Sequence, residues 1–330
     1  MLIQFTIENH RSIKNSAVIS FAASKDTSFR ENLLHPDKKK SLLPAIAIYG
    51  ANAAGKSNVL HAMKTMKNMI VGDAAKLLKG QKLPWEPFGG NANPTAFETV
   101  FMYHGVRYAY GFSFDENRIH TEYLYYWPNG REAMIFSRDH GAYEFRENVN
   151  EQTALSNRTP DNKLYLVSSN DWNLPQTENA YMWFFEKLTF LMEEEPARSE
   201  TVGQILSSDT KKMRILKELM LADLGISDVS IKSISGNAPV ITTTHRIIHE
   251  DGSVEHFQLR MDQESAGTQR FFARIGGWLQ ALDQGALLLV DEIEDSLHPL
   301  LTKRFIEMIQ DQHVNVNGAQ LLFTTHDAML

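Results

Sequence analysis

One octapeptide constrains this chain more than any other feature: Gly50-Ala51-Asn52-Ala53-Ala54-Gly55-Lys56-Ser57. It follows a short apolar run, Ala45-Ile46-Ala47-Ile48-Tyr49, that suits a buried strand. It precedes apolar residues at Val59, Leu60, Met63, Met66 and Ile70, which repeat with a helical period. A strand, a glycine-bearing turn and a helix in that order make a phosphate cradle. The glycines let the backbone curl its N–H groups towards an anion, and the helix start adds the positive end of its dipole. In this pattern Gly50, Asn52, Ala53, Ala54, Gly55 and Asn58 shape the loop, Lys56 reaches the β- and γ-phosphates of ATP, and the Ser57 hydroxyl ligates Mg2+.

The rest of the chain is organised around that loop. Residues 2–22 read as two strands, because Ile3, Phe5 and Ile7 alternate with polar residues and Val18, Ile19 and Phe21 resume after a polar turn. Residues 25–43 are polar and Lys-rich and read as a loop. Residues 97–146 read as an antiparallel meander, with turns at His104-Gly105-Val106 and Pro128-Asn129-Gly130. Residues 177–222 read as a helical insertion with helices at 181–192 and 210–221, and 229–261 return to strands. The last segment alternates: helix from Ala266, strand 286–290, helix 300–312, strand 320–325. Such alternation predicts an α/β fold with a mainly parallel sheet. The expected division is a core at 1–176 and 223–330, with the antiparallel β block at 97–146 and the helical insertion at 177–222.

Four further motifs fit the same chemistry. Leu287-Leu288-Leu289-Val290-Asp291-Glu292 is a buried strand ending in two carboxylates. Asp291 suits a Mg2+ role, and Glu292 is placed to orient or deprotonate an attacking water. Glu264-Ser265-Ala266-Gly267-Thr268-Gln269 opens a helix and offers a second anion site, although Ser265 would serve equally as an ordinary N-cap. Asp295-Ser296-Leu297-His298-Pro299 follows the carboxylates, and Thr324-Thr325-His326 ends the last strand. A lone strand-end histidine is usually packing or solvent; beside a phosphate it can contact the γ-phosphate.

In this order the motifs resemble those of ATP-binding-cassette ATPases, a P-loop NTPase fold: Walker A at 50–57, signature at 265–269, Walker B at 287–292, D-loop at 295–299 and switch histidine at 326. Within that group the chain looks like the Rad50, RecF and overcoming-lysogenization-defect branch, closest to bacterial AAA-type proteins of the RloA/AbiLi kind, which are linked to phage defence. The signature Ser-Ala-Gly-Thr-Gln, the run Glu294-Asp295-Ser296-Leu297-His298-Pro299 and the opening Ile7-Glu8-Asn9-His10-Arg11-Ser12 carry the resemblance. It implies catalytic roles for Lys56, Glu292 and His326 and nucleotide contacts by Asp295. It also brings Arg11 close to the phosphates, with His10 where phenylalanine is usual. It implies that Ser265 and Gly267 act in trans, so the protein assembles with a second copy around ATP and switches on γ-phosphate loss. The Q-loop glutamine has one candidate, Gln176, which reads as well as a loop residue. The chain ends four residues past His326, where the family usually continues, and carries no topoisomerase-primase (TOPRIM) nuclease domain.

Composition limits the alternatives. The chain has 330 residues, no cysteine and a formal net charge of −7. That excludes disulfides and cysteine-ligated zinc and argues against a dedicated nucleic-acid coat. Basic clusters at Lys38-Lys39-Lys40 and at Lys211, Lys212, Arg214 and Lys217 read as solvated faces, with a DNA-contacting patch as the minority reading. The sequence shows no signal peptide and no apolar run near the roughly 20 residues of a membrane helix. The expectation is a cytoplasmic ATPase switch that controls a separate effector such as a TOPRIM-like or other nuclease. A RecF-like DNA-repair ATPase and a slow-turnover ATP-dependent scaffold are the alternatives; missing heptads argue against long coiled coils.

Overall fold

In the computed structural model, the apolar runs that flank the motifs become neighbouring parallel strands. The structure describes residues 1–26, 28–37, 40–190, 194–222, 225–232, 239–249, 251–294 and 299–327. The first half contains β1 (Leu2–Glu8), β2 (Ala17–Ser20), β3 (Leu34–Asp37), β4 (Lys40–Leu42), β5 (Ala45–Tyr49), α1 (Lys56–Val71), β6 (Thr95–Tyr103), β7 (Val106–Phe114), β8 (Ile119–Trp127), β9 (Ala133–Asp139), β10 (Ala142–Phe145), α2 (Val149–Ser156) and α3 (Tyr165–Asp171). The second half contains α4 (Pro175–Glu186), β11 (Leu188–Phe190), α5 (Glu194–Ser207), α6 (Asp209–Leu221), β12 (Ile226–Lys232), β13 (Val240–Ile248), β14 (Val254–Arg260), α7 (Ala266–Gln284), β15 (Leu287–Val290), α8 (Pro299–Gln310) and β16 (Gln320–Thr325).

Four strands form an all-parallel sheet in the order β11-β15-β16-β5. Every residue of β15 and β16 is buried. Strands covered on both faces need apolar side chains on both, which explains their near-unbroken apolar sequences. Alternate side chains feed two cores. Leu287, Leu289 and Leu322 join α1, α3, α4 and the antiparallel sheet. Leu288, Val290, Leu321 and Phe323 join α5, α6, α7, α8 and β12.

The antiparallel sheet has seven strands in the order β10-β9-β8-β7-β6-β1-β2. The meander at 97–146 is present, and β1 extends it by pairing with β6, Phe5 opposite Thr99 and Ile7 opposite Phe97. The β6–β7 turn uses His104 and Gly105 at φ 46° and 76°. Two consecutive positive φ values match the right-handed twist of the flanking strands. Phe101 of β6 stacks on Trp183 of α4 at 4.2 Å between ring centroids, and both rings are fully buried. Strands β12, β13 and β14 form a third, antiparallel sheet.

Two local expectations change. Within the polar stretch 25–43, Leu34–Asp37 and Lys40–Leu42 pair as a small hairpin rather than staying irregular. The helix expected over 181–192 ends at Glu186, and Leu188–Phe190 pairs in parallel with Leu287–Leu289. The span 177–222 therefore contains an edge strand of the parallel sheet as well as helices α5 and α6. Lys38, Lys39 and Asp295 lie outside the described residues. Among the described residues no helix is long and apolar enough to cross a membrane.

The Phe101–Trp183 stack joins sheet to helix, so Phe101→Ala should lower stability by about 3–5 kcal/mol. The midpoint of chemical unfolding checks this, and an unchanged midpoint would show that the stack carries little.

Candidate functional site

Three parallel strands end side by side, and each delivers one motif. Register places Thr324 opposite Ile48, Thr325 opposite Tyr49 and Val290 opposite Phe323. The loop after β5, the carboxylates after β15 and His326 after β16 therefore meet at the carboxyl end of the sheet, where ligands bind in open α/β folds.

The loop after β5 bends through Ala53 at φ 61° and Gly55 at φ 92°. Gly55 is the N-cap of α1, and no side chain caps the first turn of that helix. The helix start thus keeps its partial positive charge for an external anion. A β-carbon on Gly55 would come within 2.5 Å of Ser12 Oγ, so only glycine fits there. Ser12 Oγ also accepts a 2.7 Å hydrogen bond from Asn58 Nδ2, which ties the segment after β1 to the start of α1. Lys56 is buried, and its Nζ donates to Gly50 O at 2.8 Å and Ala51 O at 3.1 Å.

The carboxylates are organised by Thr324, a residue to which the sequence reading gave no role. Its hydroxyl donates to Asp291 Oδ1 at 2.5 Å and accepts from the Glu292 N–H at 2.7 Å. Thr324 O accepts from Ile293 N–H at 3.0 Å. These contacts hold Glu292 at φ 46°, a left-handed conformation that costs a non-glycine residue about 1–3 kcal/mol. Ser57 Oγ donates to the same Asp291 oxygen at 3.0 Å. A hydroxyl and a carboxylate side by side are the hard oxygen donors that Mg2+ takes, so this pair fits that ion.

His326 bridges the remaining two groups. Its Nδ1 lies 3.1 Å from Lys56 Nζ and its Nε2 lies 3.0 Å from Glu292 Oε1. A lysine ammonium can only donate, so Nδ1 accepts from it and the Nε2–H donates to Glu292 Oε1. The His326 N–H also donates to Glu294 Oε1. Asn52 to Asn58, Glu292 and His326 together line an open cleft of about 710 Å3.

Other predicted residues lie elsewhere. Arg11, at φ 49°, makes a bidentate pair with Glu86, Nε to Oε2 at 2.8 Å and a terminal nitrogen to Oε1 at 3.1 Å. These hydrogen bonds hold the Glu86 carboxyl below the usual carboxylate range. Arg11 does not line the cleft. Ser265 is the N-cap of α7; its Oγ accepts from Thr268 N–H at 3.1 Å. Ser265 and Gly267 do not line this cleft either. Behind them Glu264 is bonded to His245 at 2.6 Å and to Thr243, which fastens the start of α7 to β13. Gln176 faces a separate cavity of about 290 Å3 with Tyr108, Tyr126, Ile135 and Glu147. On α6, Lys212 pairs with Asp228 at 2.9 Å and Arg214 with Asp283 at 2.5 Å, so part of that basic cluster serves packing within the chain.

A family model described as "AAA domain, putative AbiEii toxin, Type IV TA system" matches residues 45–330. No curated protein matches the sequence. Among solved structures, the SMC head domain from Thermotoga maritima is 12% identical, with 99% of this chain and 89% of that one covered at a TM-score of 0.42. An SmcHead bound to the C-winged helix domain of ScpA is 14% identical, covering 99% and 90% of the two chains at a TM-score of 0.40.

Thr324→Val keeps the volume of Thr324 but leaves the Glu292 N–H and Asp291 without its hydroxyl. Stability should fall by about 1–3 kcal/mol. Chemical denaturation measures this, and an unchanged midpoint would remove Thr324 from the account.

Proposed function

Because the chain belongs to this AAA-domain family, we propose that it binds ATP with Mg2+ in the cleft, hydrolyses it in a site shared between two copies, and works as the switch subunit of an anti-phage defence system. The observation that carries the reading is the meeting of Lys56, Ser57, Asp291, Glu292 and His326 at three adjacent strand ends.

Each group has a task that follows from its chemistry. Lys56 brings a positive charge to the β- and γ-phosphates, and the uncapped start of α1 adds its dipole. Ser57 and Asp291 would hold Mg2+, which neutralises phosphate charge when bound. Glu292 orients the attacking water and accepts its proton as the water oxygen bonds to the γ-phosphorus and the bridge to the β-phosphate breaks. The His326 N–H on Glu292 Oε1 fixes which way that carboxylate points. Thr324 keeps the backbone of Glu292 in the conformation that allows this.

The shared site rests on the signature residues. Ser265 is exposed, sits at a helix start and does not line its own chain's cleft, which supports a role in capping nucleotide held by another copy. Ligand that bridges two copies favours the closed pair only while the γ-phosphate is intact, so hydrolysis opens it. A separate effector, such as a TOPRIM-like or other nuclease, would read that opening. DNA remains a candidate partner, and tight, salt-sensitive duplex binding by the purified chain would move the repair reading ahead of this one.

Lys56→Ala should abolish ATP binding in equilibrium dialysis; normal binding would sink the site. Glu292→Gln should keep binding, slow turnover by about 100-fold or more, and accumulate an ATP-bound dimer in light scattering. Unchanged turnover would remove Glu292 from catalysis. Ser265→Arg should bind ATP and stay monomeric, whereas an ATP-induced dimer of this variant would contradict the trans arrangement.

A further inference from the structure

A second donor cluster lies behind the phosphate loop, on the side where the segment after β1 meets α1. It contains His10 after β1, His61 on α1 and Glu86 in the connection to β6. One donor atom from each residue lies within 4.8 Å of the others. His10 Nε2 is 3.0 Å from His61 Nδ1, and His61 Nε2 is 3.7 Å from Glu86 Oε2. The two imidazoles stack at 5.3 Å with 17° between planes. Backbone bonds fix the frame: His10 exchanges N–H···O bonds with Ile13 at 2.9 and 2.8 Å, and the Arg11 N–H donates to Glu86 O at 2.8 Å.

We propose that His10, His61 and Glu86 form a binding site for a divalent transition-metal ion of the zinc class, separate from the oxygen pair Ser57 and Asp291. Two imidazole nitrogens and one carboxylate oxygen are the ligand set of three-residue zinc sites, which keep a fourth position for water. Metal–ligand distances near 2.1 Å in a tetrahedron set ligand atoms about 3.4 Å apart. In the structure one donor atom from each residue already lies within 4.8 Å of the other two, the neighbourhood from which that spacing is reached. Imidazole ligands select zinc, cobalt or nickel over magnesium, which keeps this site chemically distinct from the all-oxygen one.

Two of the three residues, Glu86 and His61, have the outer shell such ligands need. Ligating carboxylates and imidazoles are oriented by hydrogen bonds from their second atoms. Arg11 grips both oxygens of Glu86 and takes one lone pair from each, leaving a second on each. Thr65 Oγ1 lies 3.3 Å from His61 Nδ1, so a His61 ring that ligates through Nε2 keeps a partner on its other nitrogen. His10 is fully buried, and its Nδ1 has no hydrogen-bond partner in the structure. Its ring is fixed instead by packing against Phe97 at 5.4 Å and by the His61 stack. A bound ion would tie β1, α1 and the 72–94 connection together next to Ser12 and so stiffen the support of the phosphate loop.

The test is titration of the nucleotide-free full chain with Co2+, read by visible absorption. The chain has no cysteine, so no thiolate bands interfere. The expected result is one Co2+ per chain with ligand-field bands in the visible range, displaced by Zn2+, and a rise in melting temperature with Zn2+. His61→Gln and Glu86→Gln, both at partly exposed positions, should each weaken binding by about tenfold or more, with circular dichroism confirming the fold. Asp291→Asn should bind Co2+ like the unmodified chain. The proposal fails if no visible bands develop, if both cluster variants bind as tightly as the parent, or if Asp291→Asn is the variant that loses the ion.

Discussion

The parallel pairing of β15, β16 and β5 is the constraint on which the rest of the site depends. In parallel strands the carboxyl ends point the same way, so three motifs far apart in sequence reach one edge. The register then decides which atoms meet. Thr324 pairs beside Ile48 on one side, and its neighbour Phe323 pairs with Val290 on the other. That leaves its hydroxyl between Asp291 and the Glu292 N–H. A shift of one residue would turn every side chain of β16 to the opposite face and remove Thr324 from the carboxylates. Gln320 at the start of β16 resists such a shift, because its buried amide accepts from Leu2 N–H at 2.6 Å and donates to Leu2 O at 3.0 Å.

Around that frame, polar groups are arranged so that each charge has a directed partner. Lys56 is held by its own loop carbonyls and faces His326; His326 turns its proton to Glu292. The strained φ of Glu292 is compensated by a buried threonine instead of by glycine. Glu292 and His326 are themselves exposed; the buried members, Lys56 and Thr324, anchor the network, because an unpaired buried polar group is costly. In the proposed reaction this preorganisation matters more than any single contact, since phosphoryl transfer depends mainly on positioning and charge stabilisation.

Much of this was legible in the sequence, for identifiable reasons. The loop at 50–57 is defined by residues adjacent in the chain, and the long apolar strands announce themselves by composition. The α/β architecture, the antiparallel meander and the strand ends bearing Asp291, Glu292 and His326 followed from those signals. What was missed depends on contacts between distant segments. Thr324 was visible beside His326, but only the tertiary register gives its hydroxyl a task. Strand β11 has three residues, too few to show a period, and it directly follows a helix with an apolar face. Arg11, which the resemblance implies near the phosphates, pairs its guanidinium with Glu86, 75 residues away, a contact that no local spacing shows. The cluster of His10, His61 and Glu86 has no local spacing signature at all. Its members come together only because β1 joins the meander beside α1.

A hydrolytic site completed by a second copy makes specific ATPase activity depend on protein concentration, and that dependence is the measurement to make. A shared site predicts activity per chain that rises with concentration and levels off as an ATP-dependent dimer saturates, with the two curves sharing one midpoint in parallel sedimentation measurements. Constant specific activity from a species that sediments as a monomer throughout would contradict it.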